Sequence, residues 1–222
     1  MAARLTRAYG AFLADIRGLD VPRACLDVAR LGFTDVVGVL LAGQDEPTVA
    51  CLLDALRADG ADGDVPALLG RVRLGASAAA LVDATAAHAL DFDDFAFSNH
   101  PSAVLVPAIL AAAARSGADG RRMAISYVAG YEVWCDLFLR EPDHYYARGW
   151  HPTAVLGPVG AAAAAAVALG LDEEGCTHAL ALAASAGGGV FENFGTMAKP
   201  LHGGRAAASG VSAALLAAAG MR

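Results

Sequence analysis

The sequence has no run of lysine or arginine, no CxxC pair, no unbroken apolar stretch at its start and few aromatic residues. Each shortage removes a class of answer. Aromatics make up 7% of the chain while hydrophobic residues reach 56%, an excess carried mostly by alanine. Alanine is the best helix former, and sheet sandwiches draw on Val, Ile and Tyr, so the composition points to closely packed helices and an all-α fold. With a formal net charge of -7 and no basic cluster, the chain lacks the electrostatic footprint of a nucleic-acid binder. Cys25, Cys51, Cys135 and Cys176 are too scattered for a metal or disulfide framework and read as reduced core thiols of a cytoplasmic protein. The opening MAARLTRAYGAFLADIRG interrupts its apolar residues with charged ones, unlike an export signal. Residues 154–171 approach membrane-span length, but their alanines, with Gly157, Pro158 and Gly160, favour a buried core helix, and no membrane association is expected.

The motifs of covalent, zinc-dependent and nucleotide chemistry are missing as well. There is no GxSxG elbow, no HExxH and no phosphate-binding glycine loop. Gly187–Gly188–Gly189 follows no strand pattern and reads as the end of a helix over 173–184.

What is present is helical punctuation over 222 residues, read as a single domain spanning 1–222. Asp20 as N-cap and Pro22 in the first turn open a long buried helix through Leu26, Val28, Leu31, Val36, Val39 and Leu40 to Gly43. A second helix runs from Pro47 to Ala58 with Leu52, Leu53 and Leu56 inward, and GADGDVP at 60–66 reads as an exposed loop. A third, 77–90, sets Leu81, Thr85 and His88 on one side and leads into the acidic segment Asp91-Phe92-Asp93-Asp94.

The most informative pattern is a near-repeat. HPSAVLVP at 100–107 recurs as HPTAVLGP at 151–158, with six of eight positions identical. Each copy opens an Ala-rich helix, with Pro where the first turn tolerates it and Ser or Thr able to cap. A third junction, Lys199-Pro200-Leu201-His202-Gly203-Gly204, precedes the Ala-rich run 205–219, and its glycines would let backbone N–H groups approach a ligand. Helix N-termini carry unsatisfied donors and partial positive charge, so three converging junctions would form an anion site. His100, His151, His202, Lys199 and the acidic cluster suit acid–base work on a carboxylate.

Alternatives stand beside that reading. Asp91, Asp93 and Asp94 are oxygen ligands at close spacing that suit Mg²⁺ or Ca²⁺, although the EF-hand pattern is absent. Asp93 or Asp94 would equally serve as a cap for the next segment. His88 reads as a packed or hydrogen-bonded partner of Asp91, and His144 and His178 receive no role.

AHALDFDD at 87–94, the HPSA after it, GYEV at 130–133, GWHPTAVLGP at 149–158, ALGLDEE at 168–174 and K-x-L-H-x-G-x-A-A from Lys199 together resemble the MmgE/PrpD family. That resemblance implies dehydratases, decarboxylases and epimerases of small di- and tricarboxylic acids that need no metal or organic cofactor. It implies a large helical, homodimerising domain followed by a smaller α/β lid. Carried onto this sequence, Asp91, His100 and His151 are expected to be catalytic, with Lys199 and His202 binding substrate. Phe95 departs from the family, which has threonine there. The sequence given ends at Arg222, where the lid would follow, so a second chain or dimer mate is expected to complete a dehydratase-like lyase. The other expectations are a decarboxylase or epimerase of the same family, and a non-catalytic carboxylate-binding or oligomerisation subunit.

Overall fold

The computed structural model describes residues 2–141 and 145–222, so His144 lies outside the described residues. Nine α-helices are found among them: α1 (Ala2–Asp15), α2 (Arg23–Gly43), α3 (Pro47–Ala58), α4 (Ala76–Ala87), α5 (Pro101–Ser116), α6 (Gly120–Arg140), α7 (Pro152–Leu169), α8 (Glu173–Ala184) and α9 (Ala198–Ala218). One antiparallel hairpin, β1 (Asp62–Ala67) and β2 (Val72–Leu74), is inserted between α3 and α4. The all-α expectation holds, and the helix over 173–184 is found where its Asp172 cap and following glycines put it.

α7 lies at the centre, packed by α5, α6, α8 and α9. By length and composition it is apolar enough to cross a membrane, yet 83% of its span is buried inside the fold. Its alanines explain the architecture: Ala161 to Ala166 are 0% exposed, and side chains this small let neighbouring backbones come close. Gly210 on α9 marks the tightest approach, since a Cβ there would sit 2.4 Å from Ala161 Cβ and 2.6 Å from the Ala162 backbone nitrogen. Helix propensity alone makes Gly→Ala stabilising by about 0.5–1 kcal/mol. At this position we expect the opposite sign, because neither backbone can yield and overpacking costs about 1–3 kcal/mol. Urea denaturation of Gly210→Ala against the unsubstituted protein measures it, and an unchanged or raised midpoint would show that α7 and α9 are not in this close contact.

Four expectations need correction. Residues 60–66 are not a loop: Val65 and Ala67 alternate inward at 1% exposure each, and this period-2 burial makes most of the segment β1. Its hairpin turn is pinned by buried Asp83, whose Oδ1 accepts the Leu68 N–H at 2.6 Å. α2 is amphipathic rather than wholly buried, with Val36, Val39 and Leu40 inside but Val28 and Leu31 exposed. Its N-cap is Pro22, not Asp20. All four cysteines are free, but Cys51 is exposed, because it falls on the outer face of α3.

Candidate active site

α4 ends at His88, and the chain turns back at Asp91, whose φ of 58° is left-handed, a conformation that aspartate tolerates better than most residues. The turn sends the three carboxylates of the acidic segment in three directions. Asp91 Oδ1 pairs with Lys199 Nζ and lies 3.7 Å from His100 Nε2. Asp93 is enclosed between His88 and His100. Asp94 accepts the Ser102 backbone N–H at 3.0 Å and its hydroxyl at 2.8 Å, capping α5 from outside the helix. The sequence had left the cap open between Asp93 and Asp94, and it is Asp94.

The two His-Pro copies are neighbours in space. His100 and His151 are the N-caps of α5 and α7, each with Pro in the first turn. The Ser and Thr of the repeats do not cap their own helices as expected: Ser102 Oγ meets the Tyr127 hydroxyl at 2.7 Å, and Thr153 Oγ1 accepts the His100 backbone N–H at 3.2 Å. That last bond ties one repeat to the other. His151 is fully buried, with its backbone N–H donated to Gly189 O at 2.8 Å and its Nδ1 3.2 Å from His202 Nδ1.

The third junction differs from its sequence reading. α9 begins at Ala198, so Gly203 and Gly204 are helical and form no ligand-cradling loop. They are small because α4 is close: a Cβ on Gly204 would lie 2.5 Å from Leu81 O, and one on Gly203 would touch the His88 ring at 3.5 Å. This contact brings the first turns of α9, with Lys199 and His202, against the end of α4. Lys199 Nζ also lies 5.3 Å from the centre of the Phe194 ring, which meets His151 edge-on.

Asp91, His100, His151, Lys199 and His202, chosen from sequence, thus fall in one cluster. His88 joins them, tilted against His100 with ring centres 4.4 Å apart and stacked on His151 at 6.1 Å. Its partner is Asp93, at 3.0 Å, rather than Asp91. The five-residue separation spans a turn, so helical spacing could not reveal it. Another signal was present in the sequence: Lys199 is the sole lysine among 16 basic side chains. His178, on α8, lies outside the cluster and pairs with Glu174.

Burial sets the charges. It pushes the His151 ring down to about 2, helped by the positive character of His88, His202, Lys199 and His100. It lowers His88 and His202 too, against the pull of Asp93 in the first case and with the help of Arg205 in the second. Burial alone would raise the Asp93 carboxyl, but hydrogen bonds from His100 and His88 outweigh it and hold Asp93 well below the usual range. The centre is therefore an ionised carboxylate near the neutral imidazoles of His88, His151 and His202, with the Lys199–Asp91 pair at its more open side, where the Asp91 side chain is 53% exposed.

His88, Asp91, Asp93 and His100 each have one potential ligand atom within 4.8 Å of the others. Two nitrogens and two oxygens suit a zinc-like ion better than Mg²⁺ or Ca²⁺, so the three-aspartate hard-cation site is not what the fold assembles. These atoms are already engaged with one another and with Lys199. Phe95, 65% exposed, stands edge-on to His100 with ring centres 5.3 Å apart.

The profile of the MmgE/PrpD N-terminal domain matches residues 7–222. The chain belongs to the MmgE/PrpD family. It is similar to human cis-aconitate decarboxylase, 38% identical over 161 residues, which covers 68% of this chain and 33% of that protein. The mouse cis-aconitate decarboxylase is 37% identical over 160 residues, covering 68% of this chain and 32% of the relative. The chain thus spans about a third of the length of the curated relatives it matches. In this MmgE/PrpD domain the match takes in the histidine and lysine junctions at the starts of α5, α7 and α9.

Proposed function

We propose that this MmgE/PrpD domain carries the acid–base and carboxylate-binding groups of a cofactor-independent lyase for a small di- or tricarboxylate. The observation that carries the reading is the convergence of His100, His151, Lys199 and His202 at the starts of three helices on Asp91, in the turn after α4. Lys199 and the helix N-termini bind a substrate carboxylate, which takes over the ammonium from Asp91. His100, through Nε2, exchanges a proton with carbon beside that carboxylate, and the Lys199 ammonium with the helix N-termini stabilises the enolate-like charge. Buried His151 and His202, paired through their Nδ1 atoms, hold the neutral hydrogen-bonding side of the pocket.

Sequence reasoning favoured dehydration. The two cis-aconitate decarboxylase relatives favour decarboxylation within the same chemistry, where loss of CO₂ leaves a carbanion that a protonated imidazole quenches. Full-length protein should release CO₂ from cis-aconitate, with 2-methylcitrate and citrate as the dehydratase arm, and a chelator should leave the rate unchanged. Binding of these acids without turnover of any would replace this proposal with the non-catalytic carboxylate-binding reading. Activity lost to a chelator and restored by a metal would put the His88–Asp91–Asp93–His100 group in its place.

Association with a second copy belongs to the proposal. α2 buries Val36, Val39 and Leu40 but leaves Val28, Leu31, Val37 and Leu41 exposed, apolar surface that a symmetric contact would cover. Light scattering of the 22.4 kDa chain should give about twice that mass. A monodisperse monomer would rule the dimer out.

A further inference from the structure

Asp93 is 6% exposed and sits between two imidazoles. Its Oδ1 is 3.0 Å from His88 Nδ1, and its Oδ2 is 3.0 Å from His100 Nδ1. No other partner meets this buried nitrogen among the described residues, so Asp93 Oδ2, at 3.0 Å, is the acceptor that His100 Nδ1 faces. The other nitrogen of the same ring, Nε2, faces Asp91 and the Lys199 ammonium on the open side.

We propose that Asp93, backed by His88, is a positioning pair that fixes His100 as its Nδ1–H tautomer and so leaves the Nε2 lone pair pointing at the substrate. Its catalytic consequence rests on the lyase reading, whereas the geometry does not. An ionised carboxylate only accepts hydrogen bonds, so each ring that meets Asp93 through Nδ1 must place its proton there. The tautomer of His100 is then set by a neighbour and not by solvent. A buried carboxylate also needs donors to stay charged. His88 supplies one from the end of α4, and because its ring is 1% exposed it does so without acquiring charge of its own. The negative charge of Asp93 is thereby kept for the moment when His100 takes up a proton at Nε2 and becomes cationic. Asp91 has a different part: half-exposed and paired with Lys199, it belongs to the substrate side of the ring.

The variants separate positioning from packing. Asp93→Asn keeps the shape but puts one NH2 and one carbonyl oxygen where two acceptor oxygens stood, so one of the two rings loses its acceptor and is driven to the Nε2–H tautomer. His88→Ala removes one donor and leaves the carboxylate under-satisfied. His88→Asn restores an N–H close to where Nδ1 was.

The test is ¹⁵N NMR of full-length protein labelled at its histidine nitrogens, with long-range ring correlations read at alkaline pH and the His100 signals assigned from a His100→Gln sample. The expected spectrum has a protonated Nδ1 and a bare Nε2 on His100. In Asp93→Asn the proton of one of the two rings, His100 or His88, moves to Nε2. Both His88 variants keep the proton of His100 on Nδ1, because the Asp93 carboxylate still accepts from that ring, and the backing donor is read instead as a fall in kcat in His88→Ala that His88→Asn restores. In the lyase assay Asp93→Asn should lower kcat by roughly 10²–10⁴-fold with little change in KM, the scale of losing a positioned base. A proton on Nε2 of His100 in the unsubstituted protein overturns the proposal, with no variant required to fold. So do His88 and His100 tautomers that both ignore Asp93→Asn, or a spectrum with no proton on either Nδ1, the mark of a metal bound there. The expected tautomers without turnover of any acid would sink the lyase reading and leave the positioning pair standing.

Discussion

Lys199→Met should lower turnover of cis-aconitate by roughly 10²–10³-fold while leaving the fold almost as stable as before. The two halves of that expectation come from the same geometry. Lys199 is a cation placed among the site imidazoles, at the start of α9, so its loss removes a charged hydrogen bond to the substrate carboxylate and to charge that develops beside it. A single such donor in a closed site is worth about 10²–10³ in rate. Stability responds little because the partner left behind, Asp91, has a side chain 53% exposed and keeps its hydration, and ion pairs with exposed partners contribute at most about 1 kcal/mol. Lys199→Arg should recover only part of the rate, since the wider guanidinium cannot occupy the space between Asp91 and the Phe194 ring as a compact ammonium does. Steady-state kinetics beside a urea melt provide both readings. Near-normal turnover in Lys199→Met would remove Lys199 from the substrate site, and a collapse of stability would make it a structural residue.

The second large effect is acid lability. His88, His151 and His202 all have folded values below the ordinary 6.5 of histidine, so below pH 6.5 the unfolded chain binds protons that the native one refuses. Stability from these groups is fully present above pH 6.5 and is lost as pH falls through 6.5 toward the folded values. Each group contributes a slope of up to about 1.4 kcal/mol per pH unit over the interval its shift spans. Asp93, held low, adds a loss of the same sign once pH drops below the ordinary carboxylate value of 3.8. Asp83 works the other way over this interval, since burial raises its carboxyl to about 6 and its protonation favours the native state as pH falls, so it offsets part of the loss. Urea denaturation at pH 7.5 and 5.5 should still show a net fall in midpoint, and His151→Asn should flatten the dependence. Equal stability at the two values would mean that these rings are open to water in solution.

Much of this arrangement is legible in the sequence. The repeated His-Pro copies located two of the three helix starts, because proline in a first turn is a local signal that needs no tertiary information. The third was displaced: Gly203 and Gly204 look like loop residues until the closeness of α4 supplies the reason for having no side chain inside a helix. The role of Asp93 was hidden for a related reason. In sequence it is one of three similar carboxylates, and only the left-handed turn at Asp91 decides which faces Lys199, which enters the histidine cluster and which caps α5. β1 was missed because its alternation is carried by Val65 and Ala67 among glycine and aspartate, a pattern weaker than the turn signals around it. The outward Val28 and Leu31 were misplaced because periodicity finds an apolar stripe without saying whether this chain covers it.

The claim beneath all of this is that the starts of α5, α7 and α9 form one carboxylate site. It is tested most directly by a crystal structure of the full-length protein with cis-aconitate or a non-reacting tricarboxylate bound. The account predicts density for a carboxylate on Lys199 Nζ in place of Asp91, with the neighbouring carbon within reach of His100 Nε2 and the Asp93 bridge intact. A ligand bound elsewhere, for instance in the groove between α2 and α6 beside Tyr127 and Tyr131, with the Lys199–Asp91 pair undisturbed, would contradict it.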